Sequence, residues 1–367
     1  LALISAGITP VANADFKVND ISINNPKDTT ITNSTTTDLF NGAVKLDNGG
    51  TIDNITNDGT LSATADTNIA IGTYITNSTT LTNLTNSGTI SGTTNALFGI
   101  AIGITSDSSI TNLTNSGTIS GTSDLAARGI FLDGSSSVTN LVNSGTISIN
   151  STSDASEAVH VNDSTITNFT NSGTISATVG GDQGYGFLVT SEATITSLTN
   201  SGTISASTTG ESAGGIAVIS SSTLTTLTNS GTISGTSNSS GGFGVYIDGS
   251  STMTTLFNSG TISGTANSDA KGINLDSSST LTTLTNIGTI SGTASSGAAG
   301  IHLNSADHLI NFNNLQTGLV YSGRLPRNYS TIIKGDSYGQ LQISGTPSEA
   351  STGDTVYTPF AGNTSVP

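Results

Sequence analysis

Apolar residues in this chain are sparse, yet they return at fixed places. In LTNLTNSGTIS at 81–91, Leu81, Leu84 and Ile90 stand among Thr, Asn, Ser and Gly, and GIAI follows at 99–102. Each piece is too short for a helix and none carries a 3.6-residue stripe; alternation at a period of two marks a strand with one buried face. The three pieces then recur. Ile90 is repeated by Ile119, Ile147, Ile175, Ile204, Ile233, Ile262 and Ile290. The third piece, begun by Ile100/Ile102, returns as Ile130/Leu132, Val159/Val161, Phe187/Val189, Ile216/Val218, Val245/Ile247, Ile273/Leu275 and Ile301/Leu303. These columns are the expected core.

Alignment on the tetrapeptide N-x-G-T sets the period. Its Asn falls at Asn57, Asn86, Asn115, Asn143, Asn171, Asn200, Asn229, Asn258 and Asn286, in steps of 29, 29, 28, 28, 29, 29, 29 and 28 residues. Three short strands per 28- or 29-residue unit predict an all-β chain, a right-handed parallel β-helix (β-solenoid) of about ten coils. The tenth is divergent and runs to about Val320, with Leu309, Phe312 and Asn314 keeping the register of Leu281, Leu284 and Asn286. Stacked at about 4.8 Å, the coils make a rod roughly 45 Å long. The Asn column is expected to form a ladder of amides that bond one another or the turn backbone. Gly88, Gly117 and Gly145, two positions later, are expected to take a positive φ at a turn.

Outside the repeat the character changes. Residues 1–14, LALISAGITPVANA, read as the end of a signal peptide, with Ala12-x-Ala14 as a small-residue cleavage site, which implies export. Residues 15–50 match the repeat only at Val44/Leu46 and are expected to cap the first coil; 51–320 hold the coils. From Tyr321, YSGRLPRNYSTIIKGDSYGQLQISG reads as a β flank, followed to residue 367 by a linker.

Composition narrows the function. The chain is 33% hydrophobic and 9% charged, with 24 acidic residues against 8 basic ones and a formal charge of -16, so it repels polyanions and nucleic acid is not an expected partner. With no Cys, it has neither disulfides nor thiol chemistry.

Candidate chemistry is thin. His160 and His302 lie five coils apart, about 24 Å along the stack, too far to share a metal. His308 is near His302 and Asp307 but lacks a third spaced ligand. Asp248 and Asp276 fill one place in adjacent coils, as a cation site or an acid–base pair would require. Other coils put Asp133, Asn162, Thr190, Ile219 and Asn304 there, which fits a turn position better. Arg128 and Lys271, the basic residues of the coils, are far apart, unlike the clustered charges of β-helix lyases. No catalytic residue, metal site or cofactor is expected.

Three surface features remain. The outward middle residue of the third piece varies from coil to coil as Ala101, Phe131, His160, Leu188, Ala217, Tyr246, Asn274 and His302, a candidate partner-contact strip. Loops of varied sequence, SGTTNALFG, SINSTSDASEA and SATVGGDQGYG, fall between the second and third pieces and gather on one edge. Thr and Ser flank Ile in every second piece, as Thr89 and Ser91, Thr118 and Ser120, Thr232 and Ser234, a regular array of the kind that lets a solenoid bind ice.

The signal-peptide end, the LTNSGTISG coils and the flank LPRNYSTIIKGDSYGQL together resemble the passenger region of bacterial autotransporters, the type V secreted proteins of Gram-negative outer membranes. That resemblance implies a β-helix exported through a C-terminal β-barrel and displayed on the cell surface or released. The implied role is a non-catalytic adhesin or scaffold whose partners are extracellular protein or glycan surfaces, sister copies and its own barrel. A carbohydrate-active β-helix enzyme and an ice-binding solenoid are the alternatives.

Overall fold

The computed structural model describes residues 21–23, 29–33, 40–47, 49–304 and 307–345, and among them every regular element is a β-strand. The signal-peptide reading of 1–14 and the linker reading of 346–367 lie outside the described residues. Three parallel sheets of twelve, ten and twelve strands run along the molecule, each strand paired with its counterparts one coil away. The chain is therefore the parallel β-solenoid that its period predicts. One coil shows the plan: Thr80–Asn86 lies in the first sheet, Thr89–Thr94 in the second and Phe98–Ile104 in the third.

Apolar columns fill the interior. Leu84 pairs with Leu113 and Leu113 with Leu141; Ile90 pairs with Ile119 and Ile119 with Ile147, all of them fully buried. One core continues from Val44 to Tyr321. Burying each Leu or Ile contributes about 1.5–3 kcal/mol. A coil presents so few of them that it gains order only by stacking on its neighbours.

The Asn column is a buried ladder. Asn86 donates from Nδ2 to Asn115 Oδ1 at 2.7 Å, and to the carbonyls of Gly88 and Thr118 at 3.2 and 3.1 Å. The amide chain continues through Asn143, Asn171, Asn200, Asn229 and Asn258 to Asn286 and then Asn314, with the links from Asn57 onward measuring 2.7 to 3.2 Å. A second, outer run on the first sheet has the opposite polarity: Asn83 donates to Asn54 at 2.7 Å and Asn112 to Asn83 at 2.9 Å.

The glycine beside the ladder has a different role from the one expected. Gly88, Gly117 and Gly145 do not have positive φ. A Cβ on Gly117 would lie 2.0 Å from the Gly88 carbonyl oxygen, and one on Gly145 would lie 2.1 Å from that of Gly117. The position is glycine because stacked backbones touch there. In most coils positive φ falls instead in the turn from third strand to first, as at Ser106 (57°) and Asp107 (59°), or Ser220 (57°) and Ser221 (60°). That left-handed backbone costs about 1–2 kcal/mol per residue. Hydrogen bonds to the next coil hold it, such as Asp107 N–H to Gly134 O and Ser221 N–H to Gly249 O, both 2.8 Å.

The third strand in the coil at 98–104 also differs from expectation. Ile102 pairs with Ile130 and Ile104 with Leu132, so the buried pair is Ile102/Ile104, and Ala101 is fully buried instead of facing outward. FGIAIGI offers two alternating Ile pairs, and a period of two cannot choose between them. The bend in the strand decides. At Gly129 a Cβ would meet Ala158 O at 2.5 Å and Ile147 Cγ2 at 2.7 Å, so small residues line that column and two inward positions separate the outward ones.

Length variation is not confined to one edge. The second-to-third joint carries the variable loops, but three residues separate Val161 from Thr165 where four separate Leu132 from Ser137 in the turn to the first strand.

The ends are closed by continuing the sheets. The segment expected as an N-terminal cap supplies Ile21–Ile23, Thr29–Asn33 and Phe40–Leu46, one strand to each sheet. In the divergent last coil, His308–Asn314 and Leu319–Gly323 extend the first and third sheets while the second sheet stops at Thr289–Thr293. Gln316 stands in for the missing strand: its Oε1 accepts from Ile290 N–H at 2.7 Å and its Nε2 donates to Ile290 O at 3.0 Å. The flank adds Asn328–Thr331 and Leu341–Ser344 to the first and third sheets, and Tyr329 packs edge-on against Phe312 at 5.5 Å.

Two substitutions separate the two kinds of glycine. A Cβ in Gly173→Ala would lie 2.0 Å from Gly145 O and must push adjacent coils apart, so a loss of about 3 kcal/mol is expected in thermal denaturation. Gly134→Ala, at φ 60° in a turn where other coils carry Ser, should cost about 1 kcal/mol.

Candidate functional site

The candidate contact strip is a continuous row. Phe131, His160, Leu188, Ala217, Tyr246, Asn274 and His302 pair in succession along the third sheet. In the coil before Phe131 the row continues with Gly103, the position that Ala101 was expected to fill.

A second outward row runs beside it, three residues earlier in each strand: Arg128, Glu157, Tyr185, Gly214, Phe243 and Lys271. The sequence does carry a signal for it, a small residue and an apolar one between two varied positions, as in RGIF, YGFL and FGVY. The two rows cover each other. His160, Leu188 and Asn274, expected to face solvent, are only 8%, 6% and 7% exposed.

Near its N-terminal end the face holds a charged cluster. Arg128 Nε lies 3.2 Å from Glu157 Oε2 and 3.0 Å from His160 Nδ1, and His160 Nδ1 is 3.0 Å from the same Glu157 oxygen. The guanidinium sits over the rings of Phe131 at 4.6 Å and Phe98 at 5.3 Å. Burial pushes the Glu157 carboxyl up, but His160 and Arg128 together outweigh it and hold the group below the usual carboxylate range. The cluster thus pins Arg128 in place.

Further along, an open groove of about 350 Å³ crosses the two rows. Tyr185, Ile219, Phe243, Tyr246 and Asn274 line it; beside it, the coil carrying Gly214 and Ala217 leaves a gap between the one bearing Tyr185 and Leu188 and the one bearing Phe243 and Tyr246. Tyr185 leans across the gap, so that a Cβ on Gly214 would be 2.8 Å from its Cδ1. Phe243 and Tyr246 stack at 5.0 Å with planes 17° apart. The Tyr246 hydroxyl donates to Asp248 Oδ2 at 2.8 Å, and that of Tyr185 donates to Gln183 Oε1 at 2.8 Å. Burial first, and neighbouring carboxylates second, raise both phenols far above their ordinary value, so both remain neutral donors.

Other candidate residues have structural work. Asp248 and Asp276 both line the groove, and the turn-position reading explains their contacts: Gly249 N–H donates to Asp248 and Ser277 N–H to Asp276, while Asn304 Nδ2 donates to Asp276. Asp307 accepts from the backbone N–H of Ser279 at 2.8 Å and of Asn304 at 3.0 Å. His302 Nδ1 is 2.8 Å from Ser322 Oγ. Burial, as the largest influence, lowers the His302 pKa. Among the described residues no group of three or more His, Asp or Glu could hold a metal ion. Lys271 is bound to Asp269 Oδ1 at 2.6 Å and to the Gly297 carbonyl. On the second sheet, Thr89 and Ser91 stack in register with Thr118 and Ser120.

The Glu157 cluster has a pH signature. Because its folded pKa is depressed below 4.5, its contribution is present above the unfolded value and is lost as pH falls through the folded one. Melting temperature should therefore fall on acidification below about pH 4.5. Glu157→Gln should be about 2 kcal/mol less stable at pH 7 and show a shallower acid decline, measured by circular dichroism melts across pH. No family model, curated protein or solved structure matches this chain.

Proposed function

We propose that this chain is a non-catalytic binding scaffold, an autotransporter-like passenger that works outside a bacterial cell and presents its third sheet to protein or glycan surfaces. One observation carries the proposal. The coils are near copies of each other on the second sheet, where Thr-Ile-Ser recurs as Thr118–Ser120, Thr146–Ser148 and Thr203–Ser205, but on the third sheet the outward residues change in every coil. The changes place Arg128, Phe131, Tyr185, Leu188, Phe243 and Tyr246 on one face. Tyr185, Leu188 and Phe243 are largely buried among their neighbours, while Phe131 and Tyr246 keep part of their rings at the surface beside Arg128 and Asp248, and aromatic side chains with polar neighbours are what partner surfaces are built from.

The non-catalytic reading is supported by the carboxylates. Asp248 and Asp276 hold their own turns by accepting from Gly249 N–H and Ser277 N–H, which accounts for both residues without a catalytic role. The surface location is supported by the LPRNY and YGQL flank and by a charge of -16, which discourages association with polyanions.

Beads coated with the full chain should adhere to at least one of immobilised collagen, fibronectin or mucin, or to each other. Phe131→Ala, which trims a half-buried ring of that face, should reduce the adhesion at least about tenfold, while Ser205→Arg on the second sheet should leave it within about twofold. Adhesion indifferent to third-sheet substitutions would sink the proposal. So would turnover of an acidic polysaccharide that disappears in Asp248→Asn.

A further inference from the structure

From the groove between Tyr185 and Asn274, we infer that the third sheet holds a subsite for an uncharged saccharide ring. The inference rests on the third sheet being the partner surface, and it names the chemical class bound there. Asn274 is the decisive residue. It is 7% exposed, lines the groove, and its amide hydrogen-bonds no other described residue. The side chain is enclosed, but its amide atoms are not sealed off and open onto the groove, where a ligand would replace water as their partner. Its open partner is whatever fills the groove.

The remaining walls define that occupant. Tyr246 and Phe243 line it as a stacked pair, and Asp248, bonded to the Tyr246 hydroxyl, and Asp276 offer carboxylate oxygens from adjacent coils, about 4.8 Å apart along the stack. A carboxylate has about four lone-pair sites, so each keeps acceptor capacity beyond its contact with Tyr246 or Asn304. An amide that both donates and accepts, beside groups that only accept, suits hydroxyls, which do both. The stacked pair suits the C–H face of a sugar ring.

Other classes fit less well. An anion would meet Asp248, Asp269 and Asp276, and the nearby cation, Lys271, is already bound to Asp269. An ammonium group only donates, which leaves the N–H bonds of Asn274 unused. A wholly apolar molecule would dehydrate the amide and both carboxylates without replacing their hydrogen bonds. The volume of about 350 Å³ lies at the small end of ligand sites and matches one ring of a longer glycan, with the rest lying along the strip.

Saturation-transfer NMR on the full chain tests this. The probes are the methyl glycosides of glucose, galactose, mannose and N-acetylglucosamine, with glucuronate and glucosamine as charged comparators. At least one neutral glycoside should bind, glucuronate should not, and glucosamine should bind no better than the neutral probes. Asn274→Leu, similar in size, should weaken the neutral probe at least tenfold with an unchanged melting curve. Asn274→Asp should weaken it while improving glucosamine, and Ser205→Arg, on the second sheet, should leave it unchanged. Failure of every neutral glycoside, a preference for glucosamine by the native chain, or undiminished binding in Asn274→Leu would overturn the inference. If bead adhesion still falls in Phe131→Ala while no glycoside binds, the partner surface stands and the saccharide assignment is wrong. Glycoside binding without adhesion gives the opposite result.

Discussion

Stacking in register is the constraint on which everything else depends. A coil of about 29 residues, rich in Thr, Ser, Asn and Gly, buries few apolar side chains, and its backbone N–H and C=O groups point along the stack, where only another coil can meet them. The Asn ladder makes the requirement stricter, because the amide of Asn171 is buried and its partners are the same amide in the coils on either side. A slip of one coil by one residue would break a link and leave a buried carboxamide unpaired. Gly145 and Gly173 add a steric condition, since the backbones pass so closely that no side chain fits between them. Polar satisfaction, close approach and apolar columns thus select one register.

Because the interior fixes the coil, the outside is free to vary, though unequally. The turn at Ser220–Ser221 needs left-handed backbone, and the second sheet keeps the same Thr and Ser rows. On the third sheet, the bend at the Gly129 and Gly186 column sets two outward positions side by side, so that neighbouring coils can build a joint surface from residues that are distant in sequence. The groove is such a surface, lined by Tyr185, Ile219, Phe243 and Asn274 from four successive coils. Arg128, Glu157 and His160 show the same principle in a charged cluster shared by adjacent coils.

What is legible in the sequence depends on which properties are periodic. The apolar columns and the Asn column repeat every coil, and the spacing of Ile119, Ile147 and of Asn115, Asn143 is enough to place both. Spacing misplaces Ala101 because FGIAIGI alternates in two equivalent ways, and it assigns Gly88 a positive φ because a turn glycine and a close-contact glycine look alike in sequence. The Tyr185 and Phe243 row escapes the spacing for another reason: it is defined by a bend in the strand, and its residues do not repeat. The outward row of the third sheet is legible at His160 and Asn274, but their burial depends on neighbours that the sequence places a coil away.

The register of the buried ladder can be observed directly. Hydrogen exchange of the Asn side-chain carboxamides, followed by NMR on the full chain, compares the inner run through Asn115, Asn171 and Asn229 with the outer run through Asn112 and Asn140. The stacked arrangement requires inner carboxamide protons that exchange as slowly as the sheet backbone and outer ones that exchange much faster. Equal, rapid exchange in both runs would contradict the ladder and, with it, the register on which the groove depends.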